Sequence, residues 1–370
     1  MTPAFQPSRR TFVKTVSAGV AAGVAAGGFY STENVRGEQK KSLGVALVGL
    51  GSLSTKQIAP ALQKTGNCHL AGIVTGTPEK EQVWASKYNI DRSHIYNYES
   101  FDKIAGDDSI DIVYVVLPNS MHEEYTIRAA KAGKHVFCEK PMANSVAECQ
   151  RMIDACKAAD RQLAIGYRCQ FDPHHQRCIE MARSKEFGSM RLIDAGFGFK
   201  IGDPKQWRLN KKLAGGGALM DVGIYALQAC RYLTGEEPVS ITAQETKTDA
   251  EKFAQVDESI TWTMKFPSGV LAQCSTSYNF NGLNRFKVFS DNGFMQLDPA
   301  FGYTGIQGES SKGPIKFDQV DAFQLELQDF ASCVLENKKS RVAGEEGLKD
   351  LKVIEAIYES IRDGKTIVTS

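Results

Sequence analysis

A glycine-rich turn near the start of the chain has the spacing of a dinucleotide-binding motif. Residues 49–54 read Gly49-Leu50-Gly51-Ser52-Leu53-Ser54, a GxGxxG pattern with Ser in the third position. The first glycine permits a tight bend, and the second lets backbone amides approach a pyrophosphate at the positive end of the next helix. Because an apolar strand (43–48) precedes the turn and a helix (54–64) follows it, a cofactor site is favoured over a merely structural turn.

The end of the second strand indicates which dinucleotide binds. An NAD site places Asp or Glu there to hold the ribose hydroxyls, whereas residues 71–77 contain no acidic residue. The hydroxyls of Thr75 and Thr77, together with Lys80, would instead welcome a 2′-phosphate. We therefore predict NADP rather than NAD, although Lys80 can also be read as a solvated helix residue.

Two further strand ends carry polar residues at the same edge. One strand ends in Leu117-Pro118-Asn119 and the next in Glu139-Lys140-Pro141. Pro141 stops its strand and limits where Lys140 points. Ligands on a parallel sheet bind beyond the carboxyl ends of the strands, so Lys140 is interpreted as a site residue rather than a surface lysine.

The elements that position these residues divide the chain into two parts. Between 43 and 166, continuous apolar strands alternate with helices, which is typical of a parallel sheet covered on both faces. Beyond 166, successive strands with short turns (190–199, 239–247, 257–266, 270–278, 285–290 and 293–297) predict a largely antiparallel sheet. The fold class is therefore α/β, with an N-terminal Rossmann dinucleotide-binding domain (43–166) and a C-terminal α+β domain (167–370) that has a large open sheet.

The second part contains two predicted helices, one that carries candidate site residues and one that packs against the fold. A helix over 218–233 follows three glycines, 215–217, and places Asp221 and Tyr225 on one face because they are four residues apart. A final helix over 345–362 carries an apolar stripe for packing back onto the fold.

Composition excludes several classes of protein. The 370 residues include 44 basic and 43 acidic side chains, so no strong field attracts nucleic acid or an anionic membrane. No apolar run suggests a membrane span. Nine cysteines in so long a chain are not a disulfide scaffold, and those at 149 and 156 fit helical core positions. Cys169, His174, His175 and Cys178 lie close in sequence but match no common zinc spacing, so no metal is expected.

The N-terminus has the features of an export signal. Ser8-Arg9-Arg10-Thr11-Phe12-Val13-Lys14 precedes a weakly apolar run, and the first acidic residue is Glu33. The pattern favours a twin-arginine signal over residues 1–30 rather than a floppy basic tail. It predicts a periplasmic protein exported after folding, with residues 31–42 as an N-terminal arm and no membrane insertion after export.

Together, the motifs at 49–51, 117–119 and 139–141, with Asp221-Val222-Gly223-Ile224-Tyr225, resemble the Gfo/Idh/MocA oxidoreductase family. The resemblance runs from about residue 43 to the C-terminus. Many members carry His where this chain has Tyr225, and Tyr is typical of the glucose–fructose branch. The resemblance implies small-molecule sugar substrates, NADP that stays bound between half-reactions, and a homodimer or homotetramer formed through the open sheet.

The resemblance also implies roles for individual residues. Tyr225 is the acid–base group, Lys140 its partner, and Asp221 lies nearby. The cofactor-binding residues are Gly49, Gly51, Ser52, Leu53, Thr75, Lys80, Tyr98, Leu117, His122, Glu139, Lys140, Arg168, Trp207 and Arg208. The substrate would contact Lys140, Arg168, Asp221, Tyr225 and Tyr303, with Asp203 and Trp207 as further readers of sugar hydroxyls.

The chemistry that this set would perform is the oxidation of an aldose at its anomeric carbon to the lactone. A phenol with a pKa near 10 is a poor base at neutral pH, and a nearby ammonium stabilises the phenolate. The hydride would pass through NADP to a second sugar such as fructose. The alternatives are a dehydrogenase with exchangeable NADP or NAD acting on an aldose, cyclitol or dihydrodiol, and a non-catalytic NADP-binding sensor.

Overall fold

The computed structural model describes residues 41–369. The predicted export signal, 1–30, lies outside the described residues, as does the predicted arm except for its last two positions. The described residues form one compact unit that contains both predicted domains.

The first half of this unit is built on a six-stranded parallel sheet. Its strands are β1 (Leu43–Val48), β2 (Cys68–Val74), β3 (Ile95–Tyr96), β4 (Ile112–Val115), β5 (His135–Cys138) and β6 (Leu163–Ile165), in the order β3-β2-β1-β4-β5-β6. All six residues of β1 are buried, because β2 and β4 flank it and helices cover both faces. The predicted Rossmann sheet is confirmed.

Helices connect these strands. They are α1 (Ala59–Leu62), α2 (Pro78–Tyr88), α3 (His122–Lys131) and α4 (Val146–Ala158). The chain reverses its direction of travel across the sheet between β1 and β4, and a crevice opens at such a switch point beyond the strand ends. The glycine turn that follows β1 therefore faces this crevice.

The second half contains a nine-stranded sheet. Its strands are β7 (Met190–Gly198), β8 (Ser240–Thr246), β9 (Ser259–Lys265), β10 (Leu271–Ser277), β11 (Leu283–Ser290), β12 (Gly293–Leu297), β13 (Gly308–Ser310), β14 (Gly313–Ile315) and β15 (Ile367–Val368). The order is β14-β13-β12-β11-β7-β10-β9-β8-β15, antiparallel throughout except for the parallel pair β7 and β10. The predicted mostly antiparallel sheet is confirmed.

The remaining helices are α5 (Pro173–Arg183), α6 (Lys211–Ala214), α7 (Ile224–Thr234), α8 (Ala322–Leu335) and α9 (Gly344–Asp363). The helical stretch Lys211–Thr234 is long and apolar enough to cross a membrane, but it is mostly buried inside the fold. The apolar side chains of this stretch therefore belong to the core of the fold. Just before α9, the Val342 carbonyl accepts a hydrogen bond from the Ile165 amide at 2.8 Å, which joins the C-terminal segment to β6.

The structure differs from the expected elements mainly at helix starts and short strands. The expected helices 54–64 and 218–233 each begin with a wider π-helical turn, Ser54–Ile58 and Leu219–Gly223. Strands β3, β13, β14 and β15 contain only two or three residues, which is too few for a periodic sequence signal.

Candidate active site

A cleft of about 770 Å³ lies beyond the ends of β1, β4 and β5, where the large sheet and α7 close its far side. Most of the residues that sequence reasoning selected line it. They are Gly49, Gly51, Ser52, Leu53, Thr75, Lys80, Tyr98, Leu117, Glu139, Lys140, Arg168, Trp207, Arg208, Asp221, Tyr225 and Tyr303. Residues from both halves of the chain therefore meet at one site.

The glycine turn forms one end of the cleft. Gly49 has a positive φ of 89°, and a Cβ there would lie 2.3 Å from the Val116 carbonyl oxygen, so only glycine fits. A Cβ on Gly51 would meet no atom within 4 Å, which leaves open space in front of its backbone. The Ser54 hydroxyl donates to the Gly49 carbonyl and fixes the turn at the start of the helical segment. This arrangement fits a pyrophosphate.

The neighbouring end of β2 offers hydroxyl and ammonium groups. Thr75 is buried, and its hydroxyl oxygen accepts a hydrogen bond from the Thr77 amide at 3.2 Å. Lys80 Nζ donates to the Leu50 carbonyl at 2.8 Å, which holds the ammonium over the glycine turn. Among residues 41–369, no carboxylate lines this end of the cleft. A phosphorylated ribose fits these groups better than two free ribose hydroxyls do.

At the other end of the cleft, Lys140 connects two halves of the fold. It follows β5, and its Nζ donates to the Asp221 carbonyl at 2.7 Å and to Asp221 Oδ1 at 3.1 Å. The same Nζ lies 4.9 Å from the centre of the Tyr225 ring. Burial by itself lowers the pKa of Lys140, but the attraction of Tyr225, Asp221 and Glu139 outweighs it and raises the pKa above its usual value.

Both oxygens of the Asp221 carboxylate accept hydrogen bonds from side chains. Besides Lys140 on Oδ1, its Oδ2 accepts hydrogen bonds from Arg208 Nε at 3.0 Å and from the Tyr278 hydroxyl at 2.9 Å. Burial opposes ionisation, yet the charges of Lys140 and Arg208 lower the pKa of Asp221 to about 2. Asp221 is therefore a permanent carboxylate that orients cations and is a poor proton acceptor.

Arg168 supplies a second cation beside Tyr225. Its guanidinium is buried, donates to the carbonyls of Phe301 and Gly302 at 2.7 and 3.0 Å, and lies 5.1 Å from the Tyr225 ring centre. It also lies 4.7 Å from the ring centre of Tyr303. Two cations, Lys140 and Arg168, thus lie near the Tyr225 ring.

The two tyrosines of this end differ in their surroundings. Tyr225 packs against Phe197 and Phe301, with ring centroids 5.6 and 5.7 Å away. Tyr303 is half-exposed at the cleft mouth, and partial burial together with the nearby Tyr225 raises its pKa to about 12. A phenol with so high a pKa stays neutral at physiological pH, so Tyr303 is suited to hydrogen bonding rather than to proton abstraction.

Glu139 lies at the floor of the cleft. Its carboxylate accepts hydrogen bonds from the Tyr114 hydroxyl at 2.7 Å and from the Lys140 amide at 3.1 Å. Beneath it, the fully buried carboxyl of Glu326 on α8 interacts with Glu139, Arg168 and Tyr114. Burial raises the pKa of both carboxyl groups.

Two predicted residues lie outside the cleft lining. His122 is buried at the start of α3, and its ring nitrogens lie 2.9 Å from the carbonyl oxygens of Leu117 and Pro141. It therefore braces the ends of β4 and β5 from behind. Asp203 is exposed, and its carboxylate accepts a hydrogen bond from the Lys205 amide at 2.8 Å.

Sequence reasoning missed several aromatic residues of the site. Phe197, Phe199, Phe301 and Phe323 line the cleft, and Tyr278 reaches Asp221 from behind it. The first three come from a strand end and loops of the large sheet and Phe323 from the start of α8, where no motif or spacing distinguished them. Within residues 41–369, no group of three His, Cys, Asp or Glu side chains could hold a metal ion.

Family models match nearly all of the described chain. The NAD-binding Rossmann fold of the oxidoreductase family matches 43–167, the GFO/IDH/MocA C-terminal domain matches 175–296, and the oxidoreductase C-terminal alpha/beta domain matches 307–369. The chain belongs to the Gfo/Idh/MocA oxidoreductase family, as its motifs predicted.

Individual relatives are similar over most of the chain. The structure of aldose-aldose oxidoreductase from Caulobacter crescentus is 44% identical, with a TM-score of 0.87 over 89% of this chain and 100% of that one. D-xylose 1-dehydrogenase [NADP(+)] from Haloarcula marismortui is 31% identical over 87% of this chain and 92% of its own length. Trans-1,2-dihydrobenzene-1,2-diol dehydrogenase from Danio rerio is 34% identical over 70% of this chain and 78% of its own.

Proposed function

We propose that this protein is an NADP-dependent sugar oxidoreductase that oxidises an aldose at its anomeric carbon to the lactone. The hydride then passes through tightly bound NADP to a second sugar, either an aldose or a ketose such as fructose. The observation that carries the proposal is the placement of Tyr225 beside the cations of Lys140 and Arg168, 4.9 and 5.1 Å from its ring centre. The similarity to an aldose-aldose oxidoreductase supports the choice of substrate.

Bound NADP would supply the hydride acceptor for the anomeric carbon and the hydride donor for a second carbonyl group. The glycine turn and Lys80 would hold its phosphates, and Glu139 with Arg168 would border its far end. The chain itself provides the proton acceptor.

Tyr225 is the group that takes the proton of the anomeric hydroxyl. As the C–H bond breaks, the hydroxyl oxygen becomes a carbonyl oxygen and its proton passes to the phenolate oxygen of Tyr225. The cations of Lys140 and Arg168 stabilise the negative charge that develops on the sugar oxygen during the transfer. In the reverse direction, the neutral Tyr225 hydroxyl protonates the oxygen of the second sugar.

The sugar would lie among Lys140, Arg168, Asp221, Tyr225 and Tyr303. Trp207 and Arg208 line the same end of the cleft, with the guanidinium 4.6 Å from the indole ring centre. An aromatic face suits the apolar side of a pyranose, and charged groups suit its hydroxyls.

A second candidate is a dehydrogenase of the same chemistry that releases its cofactor after each turnover. The similarity to D-xylose 1-dehydrogenase [NADP(+)] and to a dihydrodiol dehydrogenase favours it. In that case free NADP appears in the steady-state rate law, and an aldose or dihydrodiol is oxidised without a second sugar.

Mass spectrometry of the nucleotide released from heat-denatured protein distinguishes the two candidates. NADP at about one per chain, followed by lactone formation with a second sugar and no added cofactor, supports retention. Protein that carries no nucleotide and needs added NADP for every turnover supports the exchanging dehydrogenase. Protein that oxidises no sugar in either assay contradicts both.

We also propose that the protein works in the periplasm as a homo-oligomer formed through the large sheet. Leu192, Leu271 and Phe289 are exposed neighbours on adjacent strands of one sheet face. Such an apolar patch is suited to an interface. Light scattering of the purified protein tests the oligomer, and fractionation of cells that produce the full chain tests the location.

A further inference from the structure

Tyr278, which directly follows β10, is the donor to Asp221 that no motif predicted. Its side chain is fully buried, and its hydroxyl donates to Asp221 Oδ2 at 2.9 Å, the oxygen that Arg208 Nε also contacts. Of the three described side chains that donate to this carboxylate, Tyr278 alone carries no charge and lies outside the cleft lining.

The Tyr278 ring is fixed by a small apolar cluster that is separate from the main core. The cluster comprises Ile201, Leu209, Ala218, Val222, Phe253, Val256 and Tyr278. Phe199 meets the Tyr278 ring edge-on at 5.3 Å between centroids. The loop between β8 and β9 completes the cluster, because Phe253 is fully buried and Lys252 Nζ donates to the Ile201 carbonyl at 2.5 Å.

We propose that Tyr278 is a positioning residue that holds the Asp221 carboxylate so that Lys140 lies beside Tyr225 and Arg208 faces the substrate. The inference rests on the proposed function for its kinetic consequences. The apolar cluster holds the Tyr278 ring in place. The neutral hydrogen bond from Tyr278 to Asp221 then fixes the position of the Lys140 ammonium.

The physical reason is that the Tyr278 hydroxyl limits the rotation of the Asp221 carboxylate. Without the Tyr278 hydroxyl, Oδ2 keeps only the partly exposed Arg208, and the carboxylate can turn about its Cβ–Cγ bond. Lys140 then keeps the Asp221 backbone carbonyl but loses Oδ1 as a fixed second acceptor, so its ammonium can shift relative to the phenol. A lost hydrogen bond to a charged group corresponds to about tenfold or more in a rate that depends on it.

The test is Tyr278→Phe in the full, cofactor-loaded protein, because this change keeps the ring and removes only the hydroxyl. The rate of hydride transfer from the sugar should fall about tenfold or more, while NADP affinity and the unfolding temperature stay close to wild type. In an Asp221→Asn background, Tyr278→Phe should cause little additional loss. The matched control is Tyr96→Phe on the edge strand β3, which removes a hydroxyl that donates to a different carboxylate, Asp107, at 2.7 Å.

A second readout does not depend on any sugar activity. Acylation of the Lys140 amine by acetic anhydride, measured by peptide mass spectrometry relative to the exposed Lys352, should become faster in Tyr278→Phe. The reason is that a loosened Asp221 stabilises the ammonium less. Unchanged Lys140 labelling, or hydride transfer at the wild-type rate in Tyr278→Phe, would overturn the proposal. A wild-type protein that oxidises no sugar would contradict only the proposed function. The labelling test of the Tyr278 proposal would still apply.

Discussion

Lys140 Nζ lies 4.9 Å from the centre of the Tyr225 ring, although the two residues come from different halves of the chain. The ammonium follows a strand of the parallel sheet, and the phenol starts a helix that packs on the large sheet. The proton chemistry at this site therefore depends on how the two halves are joined.

Tyr225→Phe should lower the rate of hydride transfer by roughly 10²- to 10⁴-fold, because it removes the hydroxyl that we propose takes the sugar proton. NADP affinity should be unchanged, since the phosphate-binding end is distant. Stopped-flow absorbance of the reduced nicotinamide measures the rate. Tyr232→Phe, two turns further along α7, is the matched control. A Tyr225→Phe protein with wild-type turnover contradicts the acid–base assignment.

Lys80→Met should weaken NADP binding by about tenfold, because the ammonium over the glycine turn no longer meets the 2′-phosphate. NAD binding should change little, since NAD has no phosphate at that position. Titration of nucleotide-free protein with each cofactor measures the difference. Lys87→Met, near the end of the same helix, is the control. Equal losses for NAD and NADP would place Lys80 outside the phosphate site.

Gly49→Ala should abolish cofactor binding and lower the free energy of unfolding. The added methyl group would lie 2.3 Å from the Val116 carbonyl oxygen at a backbone φ of 89°. Strain of this kind costs about 1–3 kcal/mol. Chemical denaturation measures the loss, and Gly106→Ala, where a Cβ would meet nothing within 4 Å, is the control. Normal stability and cofactor binding in Gly49→Ala would show that the turn has another conformation.

The stability of the Glu326→Gln protein relative to wild type should increase as pH rises. Burial raises the pKa of Glu326 well above its usual value, so the folded state favours the neutral acid. The stability that this group contributes is complete below its unfolded pKa of about 4.3 and is lost as pH rises towards the folded pKa, by up to about 1.4 kcal/mol per pH unit.

Chemical denaturation of both proteins at about pH 5 and about pH 8 measures this effect, because glutamine does not titrate. The exposed Glu309→Gln is the control. The same difference in unfolding free energy at both pH values would show that Glu326 is not held neutral.

The sequence could predict the parts of the site that depend on local patterns. Apolar strands followed by turns placed Gly49 and Lys140 at one sheet edge, and a spacing of four placed Asp221 and Tyr225 on one helix face. These features depend on residues close together in the chain, where backbone geometry limits the alternatives.

The remaining parts depend on long-range register. Tyr278 reaches Asp221 because β10 pairs in parallel with β7, an arrangement that consecutive strands do not reveal. His122 follows the Leu117-Pro118-Asn119 motif, but the turn into α3 directs its ring behind the cleft. Predicting either placement would require the packing of the two sheets rather than the spacing of residues.

The two-residue strand β15 covers the backbone of β8 at the border of the large sheet, with Ile367 opposite Ile241 and Val368 opposite Ser240. A truncation that removed these residues would leave the amides and carbonyls of β8 without their neighbouring strand. Such an uncovered border can recruit a strand from another molecule. Shortened forms of the protein would thus be prone to aggregate even though their catalytic groups were intact.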